Sequence, residues 1–337
     1  MRMLVTGGAG FIGSCFVRTL LGEGYPGLAG TRATVLDALA YSGIRANLDD
    51  VAADARLSFV KGDICDAALV DEVAPGHDLI VHFAAQSHVD RSILGAEEFA
   101  RTNVLGTQVL LDAARRHRIT RFVHVSTDEV YGSTASGSFT EQQPLAPSSP
   151  YSASKAGSDL LAQAYSCTHG QDVVITRCTN NYGPYQFPEK VIPRFVTNLL
   201  DGGTVPLYGD GRHVRDWLHV DDHCRAVALA AVYGQPGAVY NVGGGTELTN
   251  AELTARLLAA CGAGWDRVRH VPDRKGHDRR YSLDDTRIRT ELGYRPRTGF
   301  EDGLRSTVGW YRDHRNWWEP LKEGASQRSE PLARTTS

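Results

Sequence analysis

Tyr151 and Lys155 stand four residues apart in Tyr-Ser-Ala-Ser-Lys, directly after a proline-rich stretch. On a helix this spacing puts both side chains on one face. An ammonium beside a phenol favours phenolate and draws its pKa down from about 10. The pair suits the removal of an alcohol proton, although a surface Tyr–Lys contact would share the spacing. The chain has 5 lysines against 31 arginines, so each lysine is the more informative. A second constellation is Ser126-Thr-Asp-Glu-Val-Tyr-Gly132, which closes the apolar run Phe122–Ser126. Two carboxylates where a parallel strand ends lie at the edge where doubly wound sheets bind ligands. Neighbouring strand residues point to opposite faces, so the chain must turn if Asp128 and Glu129 are to share a site. Nearby carboxylates push their pKa values apart, leaving one as an acid and the other as a base. The structural alternative is a solvated helix start, with Asp128 as N-cap and Glu129 favouring the helix dipole.

A third signal opens the chain. Gly7, Gly10 and Gly13 join the apolar run Met3–Thr6 to a helical pattern beginning at Phe11 and Ile12. Glycines at these points allow a tight turn, close approach to a pyrophosphate and close helix–sheet packing, and the helix N-terminus offers free N–H groups. Asp37 ends the second apolar run, where a carboxylate accepts hydrogen bonds from an adenosine ribose and repels a 2′-phosphate. NAD is therefore expected rather than NADP. Asp63 and Ile64, after the third run, are placed beside the adenine, with a plain turn residue as the alternative for Asp63. Ala84 and Ala85, after the fourth, would leave the nicotinamide half open.

Positioning these groups requires a regular frame, and the first half of the chain supplies its pattern. Short apolar runs at Met3–Thr6, Ala33–Leu36, Leu57–Val60, Leu79–Phe83, Phe122–Ser126 and Val173–Thr176 alternate with amphipathic stretches such as Asn103–His117 and Ser152–Thr168. This rhythm predicts an α/β fold: a Rossmann-type doubly wound parallel sheet covered on both faces. After Arg177 the rhythm changes. Residues Asn180–Pro188 read as loop, Val191–Leu200 as helix, Tyr208–Arg215 as turn, Trp217–Val220 and Ala238–Val242 as strands, and Asn250–Ala260 as a helix capped by Thr249 or Asn250. The expected division is a cofactor-binding unit of 1–178 plus about 216–242 and a smaller, discontinuous α/β substrate-binding unit of about 179–215 plus 243–322. Residues 323–337 are polar and expected to be disordered.

Composition narrows the partners. The 337 residues are 42% apolar and 22% charged with a net charge of −3, which favours neither nucleic acid nor an anionic membrane. No apolar run reaches the ~18–20 residues of a membrane span. The first residues lead straight into the glycine loop, so no signal peptide is expected. Six scattered cysteines without a CxxC pair indicate neither a zinc site nor a disulfide framework and suit the cytoplasm. No metal is expected, and His82, His88, His124 and His219 are expected to serve packing or hydrogen bonding.

The glycine loop with Tyr151 and Lys155 resembles the extended short-chain dehydrogenase/reductase superfamily to about residue 320. Thr127-Asp128-Glu129-Val-Tyr is similar to the motif of its dTDP-glucose 4,6-dehydratases, as are Ser87-His-Val-Asp-Arg-Ser92, Asn180-Asn-Tyr-Gly-Pro-Tyr185, Pro188-Glu-Lys190, Pro206-Leu-Tyr208, Val214-Arg-Asp-Trp217 and Asp273-Arg-Lys-Gly-His-Asp278 with Tyr281. The resemblance implies dTDP-glucose as substrate and NAD as a recycled cofactor. C4 is oxidised with Tyr151 as base and Thr127 on the C4 oxygen. Water leaves across C5 and C6, with Glu129 as base and Asp128 as acid, and hydride returns to C6. It further implies that Ser87, Asn180, Lys190, Val191, Pro206, Tyr208, Arg215, Asn250, Arg274, His277 and Tyr281 hold the nucleotide sugar, that Lys155 also bonds the nicotinamide ribose, and that two copies pair through a four-helix bundle. Arginine forks suit a diphosphate, although any single arginine could equally be a solvated charge. Gln86 departs from the family's usual glutamate; it keeps an acceptor, gains a donor and loses a charge, and a modest effect on affinity, rate or sugar preference is expected. The competing readings are a nucleotide-sugar 4-epimerase, which needs no acid for a C6 leaving group, a dehydratase for another nucleotide hexose, and a non-enzymatic NAD-binding protein.

Overall fold

A computed structural model describes residues 1–274 and 276–323. Of the expected disordered tail, residue 323 still ends a helical segment, 315–323, and the remainder lies outside the described residues. The strands are β1 (Arg2–Thr6), β2 (Arg32–Asp37), β3 (Leu57–Lys61), β4 (Leu79–His82), β5 (Arg121–Thr127), β6 (Val173–Cys178), β7 (Asn180–Tyr182), β8 (Val205–Tyr208), β9 (Val214–His219), β10 (Val239–Val242), β11 (Glu247–Thr249) and β12 (Val268–Val271).

Seven of them form one sheet in the order β10-β6-β5-β4-β1-β2-β3, parallel at every pairing. Alternation along each strand feeds two cores. Met3 and Val5 pack with Phe16, Leu20 and Val227 on one face. Leu4, Ile80 and Phe122 pack with Leu110, Ala113 and Ala114 on the other. The sheet is thus dry on both faces, as its near-continuous apolar strands require. Strand order runs outward in opposite directions from β1, and the crevice between the ends of β1 and β4 is where such sheets bind ligands.

Two local devices place the reactive groups on this frame. The helix Pro150–His169 starts with Pro150 in its first turn, and Ser149 and Ser152 cap each other reciprocally. Tyr151 and Lys155 therefore enter the helix at a fixed phase. At the end of β5 the chain turns into a 3-10 turn, Asp128–Tyr131, with Thr127 accepting a hydrogen bond from the Glu129 N–H.

Beyond β6 a third core gathers Trp217 from β9 with Phe195, Leu253, Leu257, Leu304, Tyr311 and Trp318 from the helices Val191–Leu200, Asn250–Cys261 and Phe300–Asp313 and the segment after them. Asn180–Tyr182, expected as loop, is instead the strand β7, parallel to β9. Its partner lies far along the chain, and buried Tyr182 packs on Trp217 and Phe300, so local composition could not reveal the pairing. β9 starts earlier than expected and joins β7 and β11 rather than the main sheet. The helix after it, Val220–Tyr233, covers the main sheet, and β10 extends that sheet beside β6.

Phe122 is fully buried on the strand that carries the carboxylates. Phe122→Ala is expected to cost about 3–5 kcal/mol in urea denaturation followed by circular dichroism; a loss under about 1 kcal/mol would contradict this packing.

Candidate active site

At the end of β1, Gly7 adopts φ +71, and a Cβ there would lie 2.5 Å from the Ala84 nitrogen. A Cβ on Gly13 would lie 2.2 Å from the Gly7 carbonyl oxygen. The backbone can make this turn only with glycine at both points. Asp37 is buried at the end of β2, where its carboxylate accepts the Ala9 N–H at 2.9 Å and the Leu39 N–H at 2.8 Å. Burial pushes its carboxyl up, and these two N–H groups oppose the shift. Gly7, Gly10, Phe11, Ile12, Gly13, Asp37, Asp63, Ile64, Ala84, Ala85 and Tyr151 all line one cavity of about 500 Å³. Asp63 has two further tasks: it accepts the Cys65 N–H at 2.9 Å and pairs with Arg101 at 2.7 Å. The cradle of glycines, the small Ala84–Ala85 wall and the carboxylate at the end of β2 fit a dinucleotide with a free ribose diol.

The same cavity reaches Thr127, Asp128 and Glu129. Thr127 Oγ1 donates to Asp128 Oδ1 at 3.2 Å, while Asp128 Oδ2 is buried without a partner. Burial, then the charge of Glu129, pushes Asp128 well up; Arg215 opposes. Burial also raises Glu129, but the charges of Arg274, Arg215 and Lys190 work against it. Both carboxyls are thus pushed up, Asp128 well up, while cations beside Glu129 oppose its rise, an asymmetry suited to an acid–base couple. The alternative of a solvated helix start fails because Asp128 is only 2% exposed.

Tyr151 and Lys155 are both buried on the first turns of their helix, but their coupling differs from expectation. The Lys155 ammonium donates to the Val125 carbonyl on β5 at 2.8 Å, and Lys155 does not itself line the cavity. Burial pulls it down to about 8. The Tyr151 phenol is pushed well up by burial, then by the charges of Glu129, Cys178 and Asp128, with a Thr127 hydrogen bond opposing. Helical spacing put both residues on one face, but the lysine stem is long enough to reach the strand backbone, and that carbonyl captures the charge.

A second cavity of about 200 Å³ adjoins the first and shares Ser87, Glu129, Asn180 and Lys190 with it. Its remaining walls carry the other expected substrate residues: Pro206 and Tyr208 from β8, Arg215 from β9, Asn250 at a helix start, Val191, and Arg274, His277 and Tyr281 from the segment after β12. Lys190 donates to the Ser87 carbonyl at 2.6 Å, and the Arg215 guanidinium lies 4.1 Å over the Tyr281 ring. Asn180 Oδ1, Arg274 Nε, His88 Nδ1 and Glu189 Oε1 are buried without partners around this cavity. Buried polar atoms are ordinarily paired, so these mark where a polar ligand bonds. Lys190, Arg194, Arg215 and Arg274 converge there, a charge set suited to a diphosphate.

Sequence reasoning did not single out Arg194, Cys178 or Trp217. Arg194 was detectable as the residue one helical turn beyond Lys190, and Trp217 as the end of the motif Val214-Arg-Asp-Trp217; Cys178 had no local signal. His277 also stacks on buried His213 with ring centroids 3.7 Å apart, and with Asp273 the two histidines bring three possible metal-ligand atoms within 4.8 Å of one another. Asp273 already takes up this geometry by pairing with His277 at 2.6 Å and with His213 at 3.4 Å.

Residues 4–307 match the family described as GDP-mannose 4,6 dehydratase. A dTDP-glucose 4,6-dehydratase of Streptomyces niveus is 62% identical over 331 residues, covering 98% of this chain and 98% of the relative. The chain belongs to the dTDP-glucose 4,6-dehydratase family. The structure of the family member DesIV from Streptomyces venezuelae, solved with NAD bound, superposes with a TM-score of 0.94 at 64% identity, covering 95% of this chain and 100% of that one. A UDP-glucose 4-epimerase of Thermus thermophilus, also solved with NAD, shares the fold with a TM-score of 0.84 at 34% identity, over 93% of this chain and 100% of that one. The Rossmann-type sheet is thus common to dehydratases and epimerases, while near-full-length identity of about 60% lies on the dehydratase side.

In this dehydratase fold a side chain at Gly13 must displace backbone. Gly13→Ala is expected to weaken NAD binding at least about tenfold in calorimetric titration, roughly 1.4 kcal/mol; unchanged affinity would mean that the loop adapts.

Proposed function

We propose that this chain removes water from dTDP-glucose to give the 4-keto-6-deoxy sugar nucleotide, as an NAD-dependent hydro-lyase. The observation that carries the reading is the Asp128–Glu129 pair, placed beside Tyr151 in a cavity that adjoins the cationic one. When bound, NAD supplies a hydride acceptor for C4, a hydride donor for C6, and a ring charge that favours phenolate at Tyr151. Tyr151 takes the C4 hydroxyl proton, and the Thr127 hydroxyl hydrogen-bonds the C4 oxygen. A ketone at C4 acidifies the C5 hydrogen, which Glu129 accepts as a proton, and C5 takes a proton back when hydride returns to C6. Asp128, which already holds its proton, hands it to the departing C6 hydroxyl. Lys190, Arg215 and Arg274 neutralise the diphosphate, and Pro206 and Tyr208 flank the base and ribose. An epimerase has no leaving group at C6 and no use for a protonated Asp128.

Three further assignments belong to this reading. Residues 1–178 plus about 216–242 hold the cofactor and about 179–215 plus 243–322 the nucleotide sugar, with β9 as the strand the two share. The enzyme is cytoplasmic, a reading supported by six cysteines that all stand free; no described helix is long and apolar enough to cross a membrane. Two copies form a homodimer through a four-helix bundle. Leu105 and Leu160, large apolar residues 46% and 56% exposed on the two helical segments concerned, support that interface.

Incubation with dTDP-glucose and catalytic NAD is expected to lower the product mass by one water with no lasting reduced-nicotinamide absorbance; unchanged mass with inverted C4 stereochemistry by NMR would make the epimerase reading correct instead. Leu160→Glu is expected to convert a dimer into a monomer in sedimentation velocity, and a parent chain that sediments as a monomer would refute the bundle.

A further inference from the structure

Tyr151, Lys155 and Asp159 follow one another at four-residue intervals on the helix Pro150–His169 and share one buried face. The reaction described above uses Tyr151, and Lys155 is the buried cation one helical turn on, bonded to the Val125 carbonyl. Asp159 is fully buried, and its Oδ2 accepts from Arg177 Nε on β6 at 2.8 Å. His124 Nε2 on β5 stands 3.2 Å from the other oxygen. Arg177 extends the network by donating to the Tyr131 hydroxyl at 2.7 Å, with its guanidinium 4.8 Å over the Tyr131 ring. Tyr131 ends the turn that begins with Asp128. The network thus ties the catalytic helix to the turn bearing the acid–base pair.

We infer that Asp159 is a positioning residue for the reaction, whose carboxylate, locked to Arg177, keeps the buried Lys155 one helical turn away in its charged form. The argument is a charge count in a dry site. The groups that act on Lys155 or its network are Asp159 on its own helix, His82 on β4, His124 on β5, Arg177 and Cys178 on β6, and Asp128 and Glu129 at the turn. Burial pulls His124 down to about 4 and His82 well down, so both are neutral at pH 7. Burial pushes the Cys178 thiol up, and Asp128 keeps its proton. Along the buried helix face the fixed charges are Lys155 and Arg177, both positive, and Asp159. Burial pushes Asp159 up, but the His124 ring 3.2 Å away and the Arg177 charge outweigh it and hold it at about 2. Without this carboxylate two buried cations remain with no anion between them, an arrangement proteins relieve by neutralising one. Arginine does not give up its proton, and lysine does. The relief therefore falls on Lys155. A buried ion pair serving the fold alone would leave the ionisation of Lys155 unchanged.

The chain has 5 lysines, so their side-chain carbon resonances can be titrated individually by NMR on the full-length protein, with Lys155→Met identifying one signal. Asp159→Asn is expected to lower the Lys155 midpoint by about one pH unit or more. Arg177→Gln, which removes the competing cation and keeps the carboxylate, is expected to raise it. Because lysine is charged below its midpoint, the alkaline limb of the kcat/KM profile should move to lower pH in the first variant and not in the second. A Lys155 midpoint unmoved by Asp159→Asn overturns the inference. If that variant does not fold, Arg177→Gln decides alone: a raised midpoint supports the inference, and an unchanged or lowered one overturns it. The kinetic consequence rests on the dehydratase reading, but the lysine titration does not. A shifted midpoint in a protein that forms no dehydration product would refute that reading and leave this inference standing.

Discussion

Two carboxyl groups are held together in a nearly dry pocket at the end of β5, and much of the surrounding structure answers to that constraint. Asp128 and Glu129 cannot both be ionised there at small cost. Burial and the neighbouring charge push Asp128 well up, while Arg274, Arg215 and Lys190 oppose the rise that burial imposes on Glu129. The same three cations suit a diphosphate. Charge suited to a diphosphate therefore also acts on the carboxyl pair, so one set of residues bears on both.

This arrangement depends on which elements meet at the sheet edge. β5 and β6 bring Thr127 and Cys178 side by side at their carboxyl ends, and the Pro150–His169 helix lays Tyr151 against them. The cofactor cradle lies in the same crevice because the strand order reverses at β1 and β4. The cations come from elsewhere: β9 carries Arg215, the start of the helix Val191–Leu200 follows Lys190, and the segment after β12 carries Arg274. Each half is chemically incomplete. The first carries the cofactor cradle and the carboxyl and phenol groups, and the second carries most of the cations around the adjoining cavity.

Much of this was legible in the residues. The glycines at 7, 10 and 13, the carboxylate ending β2, the Tyr151–Lys155 spacing and the doubled carboxylate are local signals, and each lies where the sequence placed it. The main-sheet strands were legible for the same reason, since buried parallel strands are continuous apolar runs flanked by helical periodicity. The short strand β7 was not legible, because Asn-Asn-Tyr becomes a strand only by pairing with Trp217–His219. The origin of β9 in the small sheet was hidden likewise, since apolar content does not state which sheet a strand joins.

The sequence by itself determined the chemistry available: a dinucleotide loop, a phenol, an amine, two adjacent carboxylates and a set of basic residues at readable spacings. It also indicated, through resemblance, how those groups combine. Only the tertiary structure decided their electrostatic states. Lys155 gives its charge to the Val125 carbonyl rather than to Tyr151, burial raises both Asp128 and Glu129 while cations from distant segments oppose the rise at Glu129, and Arg177 is neutralised by Asp159 instead of facing solvent. The reason is that protonation depends on burial and on charges brought from distant parts of the chain, and neither is written in the local order of residues.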